Sequence, residues 1–465
     1  MRIKQLDNQQ RGSRSKQPDN RHSAPASQLP KEIISHRQLS GMITTIVLGG
    51  GLLVLPKEIL NILHRDAWFA FFIPILFIFL IAHIYKTLSA KYPGRNLYAI
   101  NEQLFGRWGG KGINIVFLMI FGMSLVRDLF TISSFMQSTL LLRTPFEILN
   151  LLFFILIMYY GSISIEELVR INGMILPMTV ILILLLPLFL LNEISFQFIQ
   201  PILMSEPRQM LFGNMAYLGL YGDMMMIGVF LHTVSDHHRT ESAIRYGGVI
   251  SSIFLCLLLV LSTLVFGEVL AHRFLFPNYN LVQQIHVTDF LDRVDLVVFS
   301  IWLPLILMKV AFAYKAILIG WTQLTEQSHS RYDNKGLALV LLLLTLFSFG
   351  NVSKAYSTSH YSSIFNSIFV MFPLLVLIYV RARLSRSGSK QKKTKQSYSY
   401  WLGWGALILI GGMLFTGTWL DMPTPWMGNM IGLLYAFFLL FLALCTYMEV
   451  MKADPQSQQK KNPSA

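Results

Sequence analysis

Residues 44–56 read TTIVLGGGLLVLP, and this stretch decides how the chain folds. Three consecutive glycines, Gly49, Gly50 and Gly51, interrupt an apolar run, and Pro56 follows them. Glycine and proline free backbone groups of a membrane helix, and these groups need partners in protein or in a wet cavity. The stretch therefore predicts a membrane-spanning helix that is broken midway.

A second interrupted run follows further along the chain. Residues 219–223 read GLYGD and lie midway through the sixth apolar run. Breaks at matching positions of the first and sixth runs predict an inverted repeat of two five-helix halves, with a binding site between the breaks. The alternative is that the glycines only allow helices to pack closely.

Apolar runs recur along the whole chain of 465 residues. Hydrophobic residues make up 54%, charged residues 13%, and the mean hydropathy is +0.52. Soluble domains carry about 25% charged residues, so a disordered chain is excluded and a soluble enzyme disfavoured. A spanning helix needs about 20 mostly apolar residues. We predict spans at 40–60, 67–86, 113–141, 147–164, 172–192, 212–232, 247–270, 296–322, 336–350, 363–382, 399–420 and 427–448.

The basic residues predict the orientation of these spans. Of the 38 Lys and Arg residues, 28 fall in the two termini and in the loops after even-numbered spans, and 7 fall on the opposite side. Cytoplasmic loops carry the excess of basic residues, so both termini are predicted to be cytoplasmic. The net charge of +14 is then mainly a topology signal. Trp68 and Trp426, near span ends, fit an interfacial aromatic belt.

Four charged residues lie at membrane depth, where a charge is usually functional or paired. Asp223 adjoins the second break, so it could recognise a ligand ammonium group, carry a proton, or only accept hydrogen bonds from the broken helix. Lys309 could replace a bound sodium ion or form a structural ion pair. Arg127 and Asp128 point about 100° apart on a helix, so we expect them to pair with different helices in a packing role.

Other chemistry finds little support in the residues. The cluster Asp236-His237-His238-Arg239 has no second group at metal spacing, so we expect no metal and no cofactor. Phosphate loops and nucleophile elbows are missing from the sequence, and we predict no enzyme activity. The basic segments lack the interleaved aromatic residues that read bases, so no nucleic-acid partner is expected.

Several short patterns occur in one order over about residues 38–384, and together they indicate a family. They are TTIVLGGGLLVLP at 44–56, DAW at 66–68, YPG at 92–94, LFGRWG at 104–109, VRD at 126–128, YGD at 221–223, FP at 276–277, FLDRVD at 290–295 and LMK at 307–309. With these patterns the chain resembles the B subunit of spore germinant receptors, in the spore permease family of the amino acid–polyamine–organocation superfamily.

The resemblance implies an all-α integral membrane protein with a LeuT-like fold of five plus five helices. It implies the inner membrane of a bacterial spore, partner A and C subunits, and a germinant that is a small amino acid such as L-alanine. The ligand-binding positions carried over are Gly49, Gly50, Gly51, Tyr221, Gly222 and Asp223, with Lys309 as a pocket neighbour.

The chain also departs from the family pattern. Relatives often carry Glu at the position of Asp223, and spans eleven and twelve lie outside the ten-span family core. We predict a polar cytoplasmic tail at 1–37, a transporter-like core at 38–384, a basic linker at 385–398, two additional spans at 399–450 and a second tail at 451–465.

The predicted function is ligand-gated triggering of germination. An amino acid would bind between the breaks, its carboxylate near Gly49 to Gly51 and its ammonium near Asp223, with Lys309, Arg127 and Asp128 as coupling or pocket residues. The alternative is a proton-coupled amino acid or amine transporter, in which Asp223 or Lys309 carries the proton. A third possibility is a structural subunit with a vestigial pocket.

Overall fold

The structure is a computed structural model, and it describes residues 33–53, 55–234, 239–285, 294–326, 331–348, 361–385, 398–419 and 425–452. Most of the two predicted tails, most of the basic linker, and Asp236 to His238 lie outside the described residues. The predicted domain boundaries there stay predictions.

Nearly all the described residues are helical. The α-helices are α1 His36–Gly51, α2 Leu55–Leu63, α3 Phe72–Lys91, α4 Leu97–Phe135, α5 Phe146–Ser162, α6 Ile165–Phe189, α7 Pro207–Gly222, α8 Thr240–Ala271, α9 Pro277–Gln283, α10 Val294–Thr325, α11 Arg331–Ser348, α12 Tyr361–Leu384, α13 Tyr398–Trp419 and α14 Pro425–Lys452.

The number of helices able to cross a membrane agrees with the predicted spans. Among the described residues, nine helices are long and apolar enough to cross, and two shorter apolar helices, Phe146–Ser162 and Asn334–Ser348, add to them. The first predicted span, 40–60, is divided between α1 and α2, so neither half reaches the length of a full span. These elements account for the twelve predicted spans.

The first helix breaks directly after its glycines. Helix α1 ends at Gly51 and α2 begins at Leu55. The carbonyl of Leu52, left without a helical donor, accepts a hydrogen bond of 2.7 Å from the Asn278 side chain of α9. The backbone group that the break frees is therefore satisfied by protein, as burial in a membrane requires.

The second break is a change of helix type rather than a gap. Helix α7 ends at Gly222, and the chain continues as a 3₁₀-helix over Asp223–Thr233. The end of this 3₁₀-helix meets the residues before α1, because the Ile34 amide donates to the Thr233 carbonyl at 2.8 Å. The two interrupted helices are thus joined at one end by a backbone hydrogen bond.

Two further glycines kink long helices. Gly106 in α4 has φ of 76° and Gly267 in α8 has φ of 68°. Positive φ is strained for residues with a Cβ, so glycine fits both kinks. Gly106 belongs to the LFGRWG pattern, and it separates the first turns of α4 from the part of the helix that carries Arg127.

The C-terminal hairpin of α13 and α14 packs on α3 and α8. A buried arginine joins the hairpin to the core. The Arg245 guanidinium of α8 lies 4.3 Å from the Phe79 ring and 4.5 Å from the Tyr400 ring, and 3.2 Å from the Glu449 carboxylate of α14. The two additional helices are therefore tied to the core by a stacked ion pair.

Candidate functional site

The four charges at membrane depth meet in one place. Arg127 Nη2 lies 2.9 Å from Asp223 Oδ2 and 3.1 Å from Asp128 Oδ1. Lys309 Nζ lies 2.7 Å from Asp128 Oδ2 and 2.8 Å from Asp223 Oδ2. We call Arg127, Asp128, Asp223 and Lys309 the charge cluster.

Three separate elements bring the charge cluster together. Helix α4 supplies Arg127 and Asp128, the junction of α7 with the 3₁₀-helix supplies Asp223, and α10 supplies Lys309. The two neighbours on α4 do pair with different helices, Arg127 with Asp223 and Asp128 with Lys309, and they also bond to each other. One turn before Arg127, the Ser124 hydroxyl donates to Asp223 Oδ1 at 2.7 Å.

The charge cluster is balanced and nearly sealed from solvent. Lys309 is 0% exposed, Asp223 7% and Asp128 9%. Two cations face two carboxylates, so the formal charges cancel. Desolvation makes buried ions costly, and the removal of one partner from such a group leaves another charge uncompensated.

The glycine run of α1 makes room for this cluster. A Cβ at Gly49 would lie 3.0 Å from Lys309 Cβ, and one at Gly50 would lie 2.7 Å from Lys309 Nζ. A Cβ at Gly51 would lie 2.7 Å from a methyl carbon of Leu255. In the structure the glycine run therefore allows close packing, which is the alternative interpretation of these glycines. The side chain that packs against Gly49 and Gly50 is Lys309 of α10.

An open cavity lies on the other side of Asp223. It has a volume of about 300 Å³ and lies between α4, α7, α12 and the end of α11. Arg127 and Asp223 line it together with a polar wall. That wall consists of Ser348, Ser362, Ser363, Asn366 and Ser367. We call this space the serine cavity.

The serine cavity does not include every residue that the sequence singled out. Asp223 and Arg127 line it, whereas Lys309 and Asp128 lie behind them in the charge cluster. The Tyr221 hydroxyl lies 2.6 Å from the Ser252 hydroxyl of α8, within the packed core. A Cβ at Gly222 would lie 1.8 Å from Ser367 Oγ, so Gly222 lets α7 approach α12.

Sequence reasoning missed the contribution of α12. The segment 362–367 reads SSIFNS, and its polar residues occupy two adjacent positions that recur after one helical turn. A polar stripe in an otherwise apolar span was the available signal. Ser124 was missed as well, although it stands one turn from Arg127. Among the described residues, no group of three or more His, Cys, Asp or Glu could hold a metal ion.

The comparison with known families decides the membership of the chain. The profile of the spore permease family, described as spore germination protein, matches residues 33–358. The chain belongs to the spore permease family. The Bacillus subtilis protein YfkT, named as a spore germination protein, is 24% identical over 348 residues, which cover 74% of this chain and 94% of YfkT. Spore germination protein KB of the same organism is 22% identical over 379 residues, which cover 78% of this chain and all of that protein.

Solved structures show the fold of this spore permease family member. The transporter Mhp1, of the nucleobase-cation-symport-1 family, superimposes with a TM-score of 0.58 at 14% identity, covering 91% of this chain and 94% of Mhp1. The manganese transporter of Eremococcus coleocola gives a TM-score of 0.50 at 11% identity, covering 90% and 95%. The predicted LeuT-like membrane fold is confirmed, and the chain is a multi-pass membrane protein.

Proposed function

We propose that this spore permease family member is the membrane subunit of a spore germinant receptor, and that its germinant is a small zwitterion, an amino acid. The observation that carries the proposal is the serine cavity, because an arginine and a carboxylate that pair with each other also line it. We place the ligand beside the second helix break, at Asp223 and Arg127, whereas the sequence predicted a site between the two breaks, with the ligand carboxylate at Gly49 to Gly51. The site residues remain part of the proposal.

Charge balance favours a zwitterion. The four formal charges of the cluster already cancel, so a ligand with a net charge would leave one buried charge uncompensated. An amino acid carries one charge of each sign. Its carboxylate can pair with Arg127 while its ammonium group pairs with Asp223, and the 2.9 Å ion pair between them opens without loss of balance.

Size and lining agree with a small ligand. A volume of about 300 Å³ is at the lower end of ordinary ligand pockets. Hydroxyl and amide side chains of α12 line the serine cavity together with the ion pair, so we expect them to bond to groups of the ligand that the ion pair leaves free. Gly219 also lines the serine cavity, and a Cβ at this position would lie 2.6 Å from Ser363 Oγ, so a larger residue would narrow the cavity.

The charge cluster offers a path from ligand to conformational change. Lys309 contacts Asp223 and also lies against Gly50 of α1, so a ligand at Asp223 competes with Lys309 and changes the packing of both broken helices. A ligand shifts an equilibrium only by its difference in affinity for the two states. Receptor A and C subunits in the inner membrane of the spore would convert that shift into germination.

The test is dipicolinate release from spores that carry variants of this chain, across a panel of single amino acids. We expect Arg127→Gln and Asp223→Asn to abolish the response to one amino acid that the wild-type chain restores. Arg143→Gln, an exposed arginine beyond the charge cluster, serves as the matched control. Membrane levels of each variant are measured in parallel. Wild-type sensitivity in both site variants at normal levels would overturn the proposal.

A second candidate function is proton-coupled transport of an amino acid or amine. Lys309 favours it, because it is a fully buried ionisable group in contact with two carboxylates, and ionisable residues inside the membrane often mark the proton path of a transporter. Vesicles containing the purified chain would then accumulate labelled substrate, and a protonophore would abolish the accumulation. If the labelled substrate binds to the protein but does not accumulate in the vesicles, the receptor function is favoured over transport.

A further inference from the structure

A second cavity lies on the lipid-facing side of the protein. Its lining is more apolar than that of the serine cavity. Its volume is about 460 Å³, and it lies between α8, α14 and residues 196–202. Ile253, Leu257, Val260 and Ala436 form much of its wall. Leu433 and Leu440 also line it and are 74% and 61% exposed, so the cavity opens on a surface of apolar side chains. We call it the lateral cavity.

Trp68 contributes a polar group to the lateral cavity, whose lining also includes Gln200 and Asn429. The indole lines the cavity and is only 7% exposed, and its Nε1 donor has no hydrogen-bond partner in the part of the chain that the structure describes. The ring is held in place by Phe69, with centroids 3.9 Å apart, and by Tyr435 at 5.7 Å. Buried donors in native proteins are normally bonded, so this nitrogen calls for an acceptor from outside the described residues, and a bound ligand can supply one.

The position of Trp68 indicates which acceptor is available. It lies in the short 3₁₀-helix His64–Phe69 between α2 and α3, on the side opposite to the basic residues that mark the cytoplasmic side. Tryptophan at this level of a bilayer sits with its ring in the apolar phase and its N–H toward the headgroups. The ester carbonyls of phospholipids lie between these two regions, and each is attached to an acyl chain.

We propose that the lateral cavity is a phospholipid site. One acyl chain enters between α8 and α14 past Leu433 and Leu440, and its ester carbonyl accepts a hydrogen bond from Trp68 Nε1. The small residues Gly432 and Ala436 leave the α14 side of the cavity open, and a Cβ at Gly432 would lie 2.9 Å from Trp68 Cη2. The ligand is a diacyl lipid. The protein recognises its acyl chain by apolar contact in the cavity and its ester carbonyl by the hydrogen bond from Trp68.

The test uses the full-length chain in vesicles that contain phosphatidylglycerol with a photoactivatable diazirine on one acyl chain. After illumination, mass spectrometry locates and counts the lipid adducts. We expect adducts on the cavity residues of α8 and α14. Trp68→Phe keeps the ring and removes the donor, and should lower adducts there about fivefold, equivalent to about 1 kcal/mol for one hydrogen bond.

Two matched variants make the result specific. Ala436→Phe fills the lateral cavity from an exposed position and should abolish most of these adducts, whereas Leu444→Phe, on the exposed surface of α14 outside the lining, should not. Trp401→Phe, an exposed indole elsewhere, controls for the loss of a tryptophan.

Two results would overturn the proposal. One is an equal adduct yield in wild type, Trp68→Phe and Ala436→Phe. The other is an even distribution of adducts over the exposed face of α14, which would mean ordinary solvation by lipid. If Trp68→Phe fails to fold, as judged by elution and unfolding temperature, the comparison of Ala436→Phe with Leu444→Phe decides alone.

Discussion

Lys309 is the residue at which the charge cluster and the first broken helix meet. Its ammonium group lies within 2.8 Å of both carboxylates and against Gly50 of α1. A buried ion pair contributes little net stability relative to an apolar core, but its disruption is costly because one charge is left without a partner. Lys309 is therefore needed to compensate the two buried carboxylates, and it also links Asp223 to α1.

Replacement of Lys309 by methionine should destabilise the protein by about 3–5 kcal/mol, because Asp128 and Asp223 would share one cation. The double variant Lys309→Met with Asp128→Asn restores the charge balance and should regain much of this loss. Thermal unfolding in detergent measures both. Arg170→Ala breaks an exposed ion pair with Glu166 and is the control, with an expected cost below about 1 kcal/mol. A double variant no more stable than the single one would contradict this account.

Gly222 allows α7 to approach α12 closely. Gly222→Ala would place a methyl group 1.8 Å from Ser367 Oγ and 2.6 Å from Ser367 Cβ, so the two helices must separate. We expect a lower unfolding temperature and a loss of germinant response. Ser367→Gly in the same chain should restore the unfolding temperature, since it removes the two clashing atoms. Gly173→Ala, where a Cβ meets open space, should change neither.

At the residue scale, the sequence identified the important side chains more reliably than it identified their contacts. Asp223, Lys309, Arg127 and Asp128 stand out because charges are rare within apolar runs. Arg127 and Asp223 are 96 positions apart, and no local pattern encodes their contact. The serines of α12 carry no charge, and their polar stripe does not by itself show that they lie beside the ion pair.

Among the elements, the two broken helices were the most predictable. Glycine and proline act on the backbone locally, so residues 44–56 and 219–223 located both breaks to within a few residues. The manner of breaking was not predictable. At the first break, the Asn278 side chain donates a hydrogen bond to a freed backbone carbonyl. At the second break, the chain continues as a 3₁₀-helix. Both outcomes depend on helices that are distant in sequence.

The attachment of the C-terminal hairpin rests on Arg245. Arg245→Lys keeps the charge but loses the planar group stacked between Phe79 and Tyr400, and should destabilise the protein by about 1–2 kcal/mol. The control is Arg383→Lys, whose guanidinium lies over the single ring of Tyr379 at an exposed position. Unfolding temperatures compare the two. Equal effects would show that the buried stack does not hold the hairpin.

For the whole molecule, the predicted orientation can be tested because both natural cysteines are buried. Cys256 and Cys445 should react slowly with a membrane-impermeant thiol reagent. A cysteine replacing Met204, which is 73% exposed, should be labelled from outside intact cells. One replacing Trp108, which is 88% exposed, should be labelled only after lysis. The reverse pattern would invert the topology predicted from the basic residues.

The overall architecture followed from two simple properties of the sequence. Apolar runs gave the number of spans, and the matching breaks gave the relation between the two halves. The position of the open space did not follow, because it depends on which side chains fill the gap between the breaks. Lys309 occupies the space beside Gly49 and Gly50, and the serine cavity opens beside α12 instead.

The formal charges of the charge cluster sum to zero, and this affects how the protein responds to the membrane potential. Moving one elementary charge across 100 mV of membrane potential costs about 2.3 kcal/mol, which can dominate a conformational equilibrium. When Arg127, Asp128, Asp223 and Lys309 shift together, with or without a zwitterion, they carry no net charge through that field. The protein would then respond to its ligand with the same sensitivity in an energised membrane and in a fully depolarised one.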